Sequence, residues 1–266
     1  HRDLHSFPTR RSSDLLEQKR KEMEAIDSQQ ALASEELATA KENRSGLVSE
    51  LNILSDMEAK GQGLNKSIRN ILEKAKGDHQ YDYIEGIVAD IIKAEPKYAT
   101  AVEAVLEGIT DALVINSTGR FLADDTIKQN IESRIDIICM DKVTPLVQRA
   151  DFSKFESVTG RLAEFVKYES KYAAVVWELL GKTIVVDSLE NAIELKPKFS
   201  DYRFVTLDGQ VFTGCNQMHI GPVGKKTGLI SRKSRIEELR SEIVDVDRQI
   251  HQVNSLKQIN NQKIEH

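Results

Sequence analysis

The residues with the clearest chemical possibilities lie close together: Cys215-x-x-x-His219, and the run Gly221-Pro-Val-Gly-Lys-Lys-Thr-Gly228. A thiol and an imidazole at that spacing are two of the four ligands a structural zinc site needs, and no second pair at matching spacing supplies the others. The glycine-lysine run invites comparison with a phosphate-cradling loop. It has His219 where that loop needs its first glycine and Lys226 where a Ser or Thr must reach magnesium. It also precedes a heptad pattern, whereas a phosphate loop opens a helix that packs on a parallel sheet. No Ser-His-Asp order, paired carboxylates or isolated reactive thiol stands out against the 42 acidic residues. Catalytic and metal residues are therefore both read as none.

Two other sets point to binding. Lys225, Lys226, Arg232, Lys233 and Arg235 form a basic cluster, read either as a solvated helix start or as a patch that neutralises DNA phosphates without reading bases. Lys66, Arg69, Lys74 and Lys76 are candidates to extend it. Gly209, Gly214, Gly221 and Gly224 are either ordinary loop glycines or the shapers of a strand edge that pairs with another chain.

The elements that would carry these residues are set by an internal repeat. Gly86 to Leu106 recurs 74 positions later as Gly160 to Leu180, with 9 of 21 positions identical. Gly86/Gly160, Lys93/Lys167, Glu95/Glu169, Lys97/Lys171 and Tyr98/Tyr172 match, and Asp90/Glu164 keep the charge. Each copy runs through a glycine into a β-branched stretch, so the repeat unit is strand, helix, strand and there are two related subdomains. The first is expected to hold a strand at 86–92, a helix at 96–108, a strand at 112–116, a helix at 121–133 and a strand at 134–140. The second repeats the plan with a strand at 161–167, a helix at 170–180, a strand at 183–186, a helix at 189–196 and a strand at 203–207.

Heptads flank this core. From Leu16 the a positions are Leu16, Met23, Gln30, Leu37, Arg44 and Leu51, and the d positions Lys19, Ile26, Ala33, Ala40, Leu47 and Leu54. After the core, Ile236, Leu239, Ile243, Val246, Ile250 and Val253 alternate steps of three and four. So narrow a stripe suits a coiled-coil seam, and a chain that enters by one arm and leaves by the other folds them antiparallel. The organisation reads as a leader foreign to the fold at 1–14, an arm at 15–62, subdomains at 63–145 and 146–228, and a second arm at 229–266. The leader resembles translated sequencing adapter and is expected to contribute no ordered element.

Taken together, the runs Gly86-Ile-Val-Ala-Asp-Ile-Ile, Lys97-Tyr98, Leu180-Gly-Lys-Thr-Ile-Val-Val-Asp187, Arg203-Phe-Val-Thr-Leu-Asp-Gly209 and Gly228-Leu-Ile-Ser-Arg-Lys233 resemble the hinge of structural-maintenance-of-chromosomes (SMC) proteins, most closely the bacterial type. The resemblance implies an α/β hinge of two duplicated subdomains between antiparallel arms, with dimerisation between strand edges of one protomer's first subdomain and the other's second. It further implies a homodimer, DNA contact near the arm junction, and a parent ATPase that binds ATP, magnesium and a kleisin at heads outside this fragment, which itself is no enzyme. An alternative makes DNA capture the main local task. A zinc-hook relative is disfavoured, because the apex has no Cys-x-x-Cys. The family often carries adjacent glycines where Gly214 is here followed by Cys215.

Composition agrees with this reading. A net charge of -5 argues against wholesale nucleic-acid coating, and two cysteines in different subdomains read as reduced thiols of a cytoplasmic, nucleoid-associated protein. No apolar run approaches the roughly 20 residues of a membrane span.

Overall fold

The computed structural model describes residues 7–144, 150–213, 215–222 and 228–265. The chain divides into two compact units, one of residues 1–53 with 239–266 and one of residues 54–238.

The second unit holds the repeat. Helix α1 (Phe7–Ala59) ends in it, and α2 (Lys66–Ala75) starts at Asn65, whose side chain accepts from Ser67 N. The first copy comprises β1 (Ile84–Ile87), the one-turn helix α3 (Val88–Ile91), β2 (Lys93–Ala94), α4 (Ala99–Val105), β3 (Leu113–Ile115), α5 (Thr118–Ala123), α6 (Asp125–Lys128) and β4 (Ile137–Cys139). The second comprises β5 (Val158–Arg161), a 3-10 turn at Leu162–Phe165, β6 (Val166–Lys167), α7 (Ala173–Leu180), β7 (Thr183–Val186), α8 (Leu189–Leu195) and β8 (Arg203–Val205). A hairpin, β9 (Val211–Phe212) and β10 (Met218–His219), follows, and α9 (Leu229–Glu265) leaves the unit.

The two copies share one topology. β3 is antiparallel to β1 and parallel to β4, as β7 is antiparallel to β5 and parallel to β8. The second sheet alone is extended by the hairpin, in the order β10-β9-β8-β7-β5. Between the sheets, β2 pairs with β6 antiparallel, with Lys93 opposite Lys167. These are the same position of the two copies, so a local two-fold axis passes between them. Sheet faces that meet bury Val88, Val102, Leu106, Val114, Leu162, Val176, Leu180 and Val185 in one shared cluster. Each outer face has its own, Tyr83, Leu113, Ile115 and Phe121 in the first copy and Phe152, Ile184, Val186 and Phe204 in the second. Burying each such aliphatic side chain contributes about 1.5–3 kcal/mol.

The strands expected at 86–92 and 161–167 are each broken into strand, helical turn and strand. Gly86 has φ +122° beside a register shift in the β1–β3 ladder, and the Asp90 carboxylate accepts from Ile87 N at 3.3 Å. The second copy does the same with Gly160 and with Glu164, which accepts from Arg161 N at 3.3 Å. The matched glycines and the kept charge therefore encode a bulge followed by a turn. The helix expected at 121–133 is two, because Asp124 ends α5 and caps α6, accepting from Ile127 N at 3.0 Å.

In the first unit, α1 and the distal part of α9 run antiparallel. Their side-chain bonds link Arg44 with Asp247, Lys257 with Ser34 and Gln30 with Asn261. The heptad positions Ile26, Gln30, Ala33, Leu37, Ala40, Arg44 and Leu47 of α1 are half-buried, and Leu239, Val246 and Val253 are buried on α9. Residues 7–14, expected to contribute no ordered element, take helical backbone continuous with α1. Extending a helix that is already nucleated costs little even for Arg and Ser.

Candidate functional site

Each sheet has two terminal strands, β1 and β4 in the first and β5 and β10 in the second, and among the described residues neither β4 nor β10 has a strand partner on its outer side. An open edge offers a row of backbone donors and acceptors to another chain. Beside them sit apolar side chains that the chain does not cover: Met218 is 52% exposed and Ile220 66%. Ile137, Ile138 and Cys139 of β4 are half-buried.

The interface glycines expected from the sequence fall at different places. Gly209, with φ +83°, donates to Thr206 O at 3.0 Å and makes the β8–β9 turn, so its geometry serves the second sheet internally. Gly221 follows β10 with φ +134°, and a side chain there would meet nothing within 4 Å. Gly214 and Gly224 lie outside the described residues. Cys215 and His219 are both exposed, the first in the turn before β10 and the second in that strand. Among the described residues no group of three or more metal-ligating side chains assembles, and no helix is long and apolar enough to cross a membrane.

The arm junction is built around a carboxylate that spacing did not reveal. Glu103, on α4, is 6% exposed and accepts from the backbone N–H groups of Leu229 at 3.2 Å, Ile230 at 2.8 Å and Ser231 at 3.0 Å. It thereby caps the start of α9 from 126 residues away, satisfying donors that a helix start leaves open. Burial raises its pKa, with the three donors acting against that rise. The one available signal was an acidic residue in the apolar run Ala101-Val-Glu-Ala-Val-Leu106; its counterpart in the second copy is Trp177, which donates to Tyr168 Oη at 3.0 Å.

The basic cluster is consumed by the same junction. Arg232, read from sequence as a candidate surface cation, is 7% exposed, and its guanidinium donates to Gln62 O at 2.9 Å. Burial lowers its pKa, with Glu58 and Glu103 opposing. Lys233 is hydrogen-bonded to Asp90 and lies 3.9 Å from Glu58, and Arg235 pairs with Glu238 at 2.5 Å. The first turns of α9 lie against the first copy, so these cations find partners within the chain. Lys225 and Lys226 lie outside the described residues. On α2, Lys66 pairs with Glu132 at 2.8 Å and Arg69 donates to Gly61 O at 3.1 Å, while Lys74 and Lys76 are exposed.

A third cluster ties the two copies together. Glu85 accepts from Lys171 Nζ at 2.7 Å, Tyr172 Oη at 2.9 Å and Asn116 Nδ2 at 2.6 Å. Burial pushes its pKa up, but Lys171, Asn116 and Tyr172 together hold it below the ordinary carboxylate value. Tyr98 stacks on Phe165 with ring centroids 4.0 Å apart across the same seam. Both clusters tie one element of the chain to another, Glu103 holding α4 to α9 and Glu85 holding the first copy to the second.

Comparison with known proteins agrees with this geometry. Residues 82–196 match the family model for the flexible hinge domain of SMC proteins. The chromosome partition protein Smc of Rhodopirellula baltica is 28% identical over 222 residues, which is 81% of this chain and 18% of that protein. The Smc of Bacillus subtilis is 26% identical over 206 residues, 75% of this chain and 17% of that protein. The chain thus spans under a quarter of the length of these curated relatives. Among solved structures, an asymmetric dimer of the Geobacillus stearothermophilus SMC hinge domain matches with a TM-score of 0.74 at 24% identity, over 92% of this chain and all of that one. That likeness is one of fold.

Proposed function

We propose that this chain is the hinge of an SMC protein and that it joins two copies of itself, edge to edge, at the apex of a chromosome-partition ATPase. The observation that carries the reading is the pair of open edges, β4 on one sheet and β10 on the other. A two-fold dimer that seats each β4 on the partner's β10 covers both of these edges at once in a closed pair. The short strands and the exposed Met218 and Ile220 suit such a join. The hinge relative described as a dimer supports it.

In the parent protein this joint would hold two arms together while heads elsewhere bind ATP and magnesium, a kleisin closes them, and DNA is entrapped in the nucleoid. Direct DNA contact at the junction is the secondary task. It would fall to Lys225, Lys226 and the exposed Lys74 and Lys76, because Arg232, Lys233 and Arg235 are engaged within the chain. Charge at the edge tests the primary reading. Met218→Lys with Ile220→Lys should convert the dimer to a folded monomer in size-exclusion chromatography with light scattering. An unchanged mass would remove β10 from the interface.

A further inference from the structure

Beyond Val253 the second arm packs against its own sequence. The bonded pairs Arg44 and Asp247, Ser34 and Lys257, and Gln30 and Asn261 have residue numbers that add to one total, so a single antiparallel register runs through the arms. In that register the buried seats of α9 are Leu239, Val246, Val253 and then Asn260, with Lys257 half-buried between the last two. Leu256 and Ile259, each one residue ahead of a polar seat, stand 57% and 48% exposed. Across the seam, Gln30 Nε2 donates to Asn261 Oδ1 at 2.5 Å, while Gln30 Oε1 is buried without a hydrogen-bond partner. A buried orphan carbonyl and two aliphatic side chains one position out of phase are each unfavourable. One motion brings both aliphatic side chains into the seam.

We propose that α9 beyond Val253 has a second packing, in which the turn after Val253 tightens to about three residues and the distal segment advances by one residue. Leu256 and Ile259 then take the seats of Lys257 and Asn260, and those two polar side chains go to water. The apolar steps of three from Val253 to Leu256 to Ile259 are the sequence mark of such an overwound stretch. The heptad phase keeps the lysine–serine and glutamine–asparagine bonds; the tightened phase keeps the apolar seam. Each phase gives up what the other holds, which is the condition for a switch between two discrete packings. The arm thereby carries a point at which a twist of about 100°, one residue's rotation, can be taken up or released without unfolding.

Disulfide trapping reads the phase directly in the full chain carrying Cys139→Ser and Cys215→Ser. Ile26 lies level with residue 265 by the same register, and the seam seat beside it, seven residues after Lys257, is taken by Ile264 in the heptad phase and by Lys263 in the tightened one, so Ile26→Cys with Ile264→Cys reports the heptad phase and Ile26→Cys with Lys263→Cys the tightened one. Both pairs should cross-link within one chain under mild oxidation. Adding Leu256→Gln and Ile259→Gln should lower the 26–263 yield at least tenfold and leave 26–264 intact, and adding Lys257→Leu and Asn260→Leu should do the same from the other side. A 26–263 yield in the parent background no higher than in both biased variants overturns the proposal. Far-ultraviolet circular dichroism checks each arm, and because the two biases act independently, one variant that loses helicity leaves the other to decide.

Discussion

Removing the Glu103 carboxylate isolates what fastens the second arm to the hinge. In Glu103→Ala the N–H groups of Leu229, Ile230 and Ser231 lose their acceptor inside a site that is 6% exposed. An orphaned buried donor costs about 1–3 kcal/mol and a lost helix cap about 0.5–2. Not all three donors stay dry once the side chain is gone, and removing a buried charge returns part of the loss, so the net cost is about 2–4 kcal/mol. For a unit of this size that lowers Tm by roughly 5–15 °C. Glu103→Gln keeps one acceptor oxygen and the shape, and should cost no more than about 1 kcal/mol. The pH dependence follows from the raised pKa. The folded protein holds this proton more tightly than the unfolded chain, so the group's contribution is fullest below the unfolded carboxylate pKa and is lost as pH rises through the folded value. Glu103→Gln should flatten that part of the profile. Thermal melts at fixed protein concentration, from pH 4 to 8, together with amide exchange at residues 229–231, measure all of this. A Glu103→Ala melt within 1 °C of the parent, with exchange at those amides unchanged, would refute the capping role.

Three further outcomes follow from the same geometry. Glu85 has a lowered pKa through Lys171, Asn116 and Tyr172, against the effect of burial, so the stability it contributes is present above the unfolded carboxylate pKa and lost as pH falls; Glu85→Gln should flatten the acid limb of a pH titration of Tm. Gly160→Ala places a Cβ 2.9 Å from Phe165 Cζ at φ +155° and should cost about 1–3 kcal/mol, whereas Gly119→Ala meets nothing within 4 Å inside α5 and should stabilise by about 0.5–1 kcal/mol in urea melts. Lys225→Glu with Lys226→Glu should abolish retention of double-stranded DNA at low salt, while Arg235→Glu changes it far less; equal losses would contradict the division of roles proposed for the junction.

Much of this fold was legible because its signals are local or repeated. The 74-residue offset announced two lobes, β7 lies at 183–186 as its β-branched run required, and α9 begins at Leu229 where the glycines stop. On α1 the heptad holds from Ile26 to Leu54, while Leu16 and Met23 at its start are exposed, and on α9 it holds as far as Val253. What escaped depends on long-range contacts. Gly86-Ile-Val-Ala-Asp-Ile-Ile reads as one apolar strand until Asp90 turns back on Ile87. The cations of Arg232 and Lys233 read as free until Gln62 and Asp90 arrive from elsewhere in the chain, and Glu103 read as one more acidic residue until α9 began on it. The two-residue strands of the β9–β10 hairpin are too short to show a period among glycines and polar residues.

Sedimentation equilibrium of the unmodified chain at micromolar concentration tests the central claim most directly. The account predicts a single species of twice the 30.0 kDa chain mass, held as a dimer by two identical edge joins and growing no further. A monomer at that concentration, or an open-ended series of larger species, would contradict it.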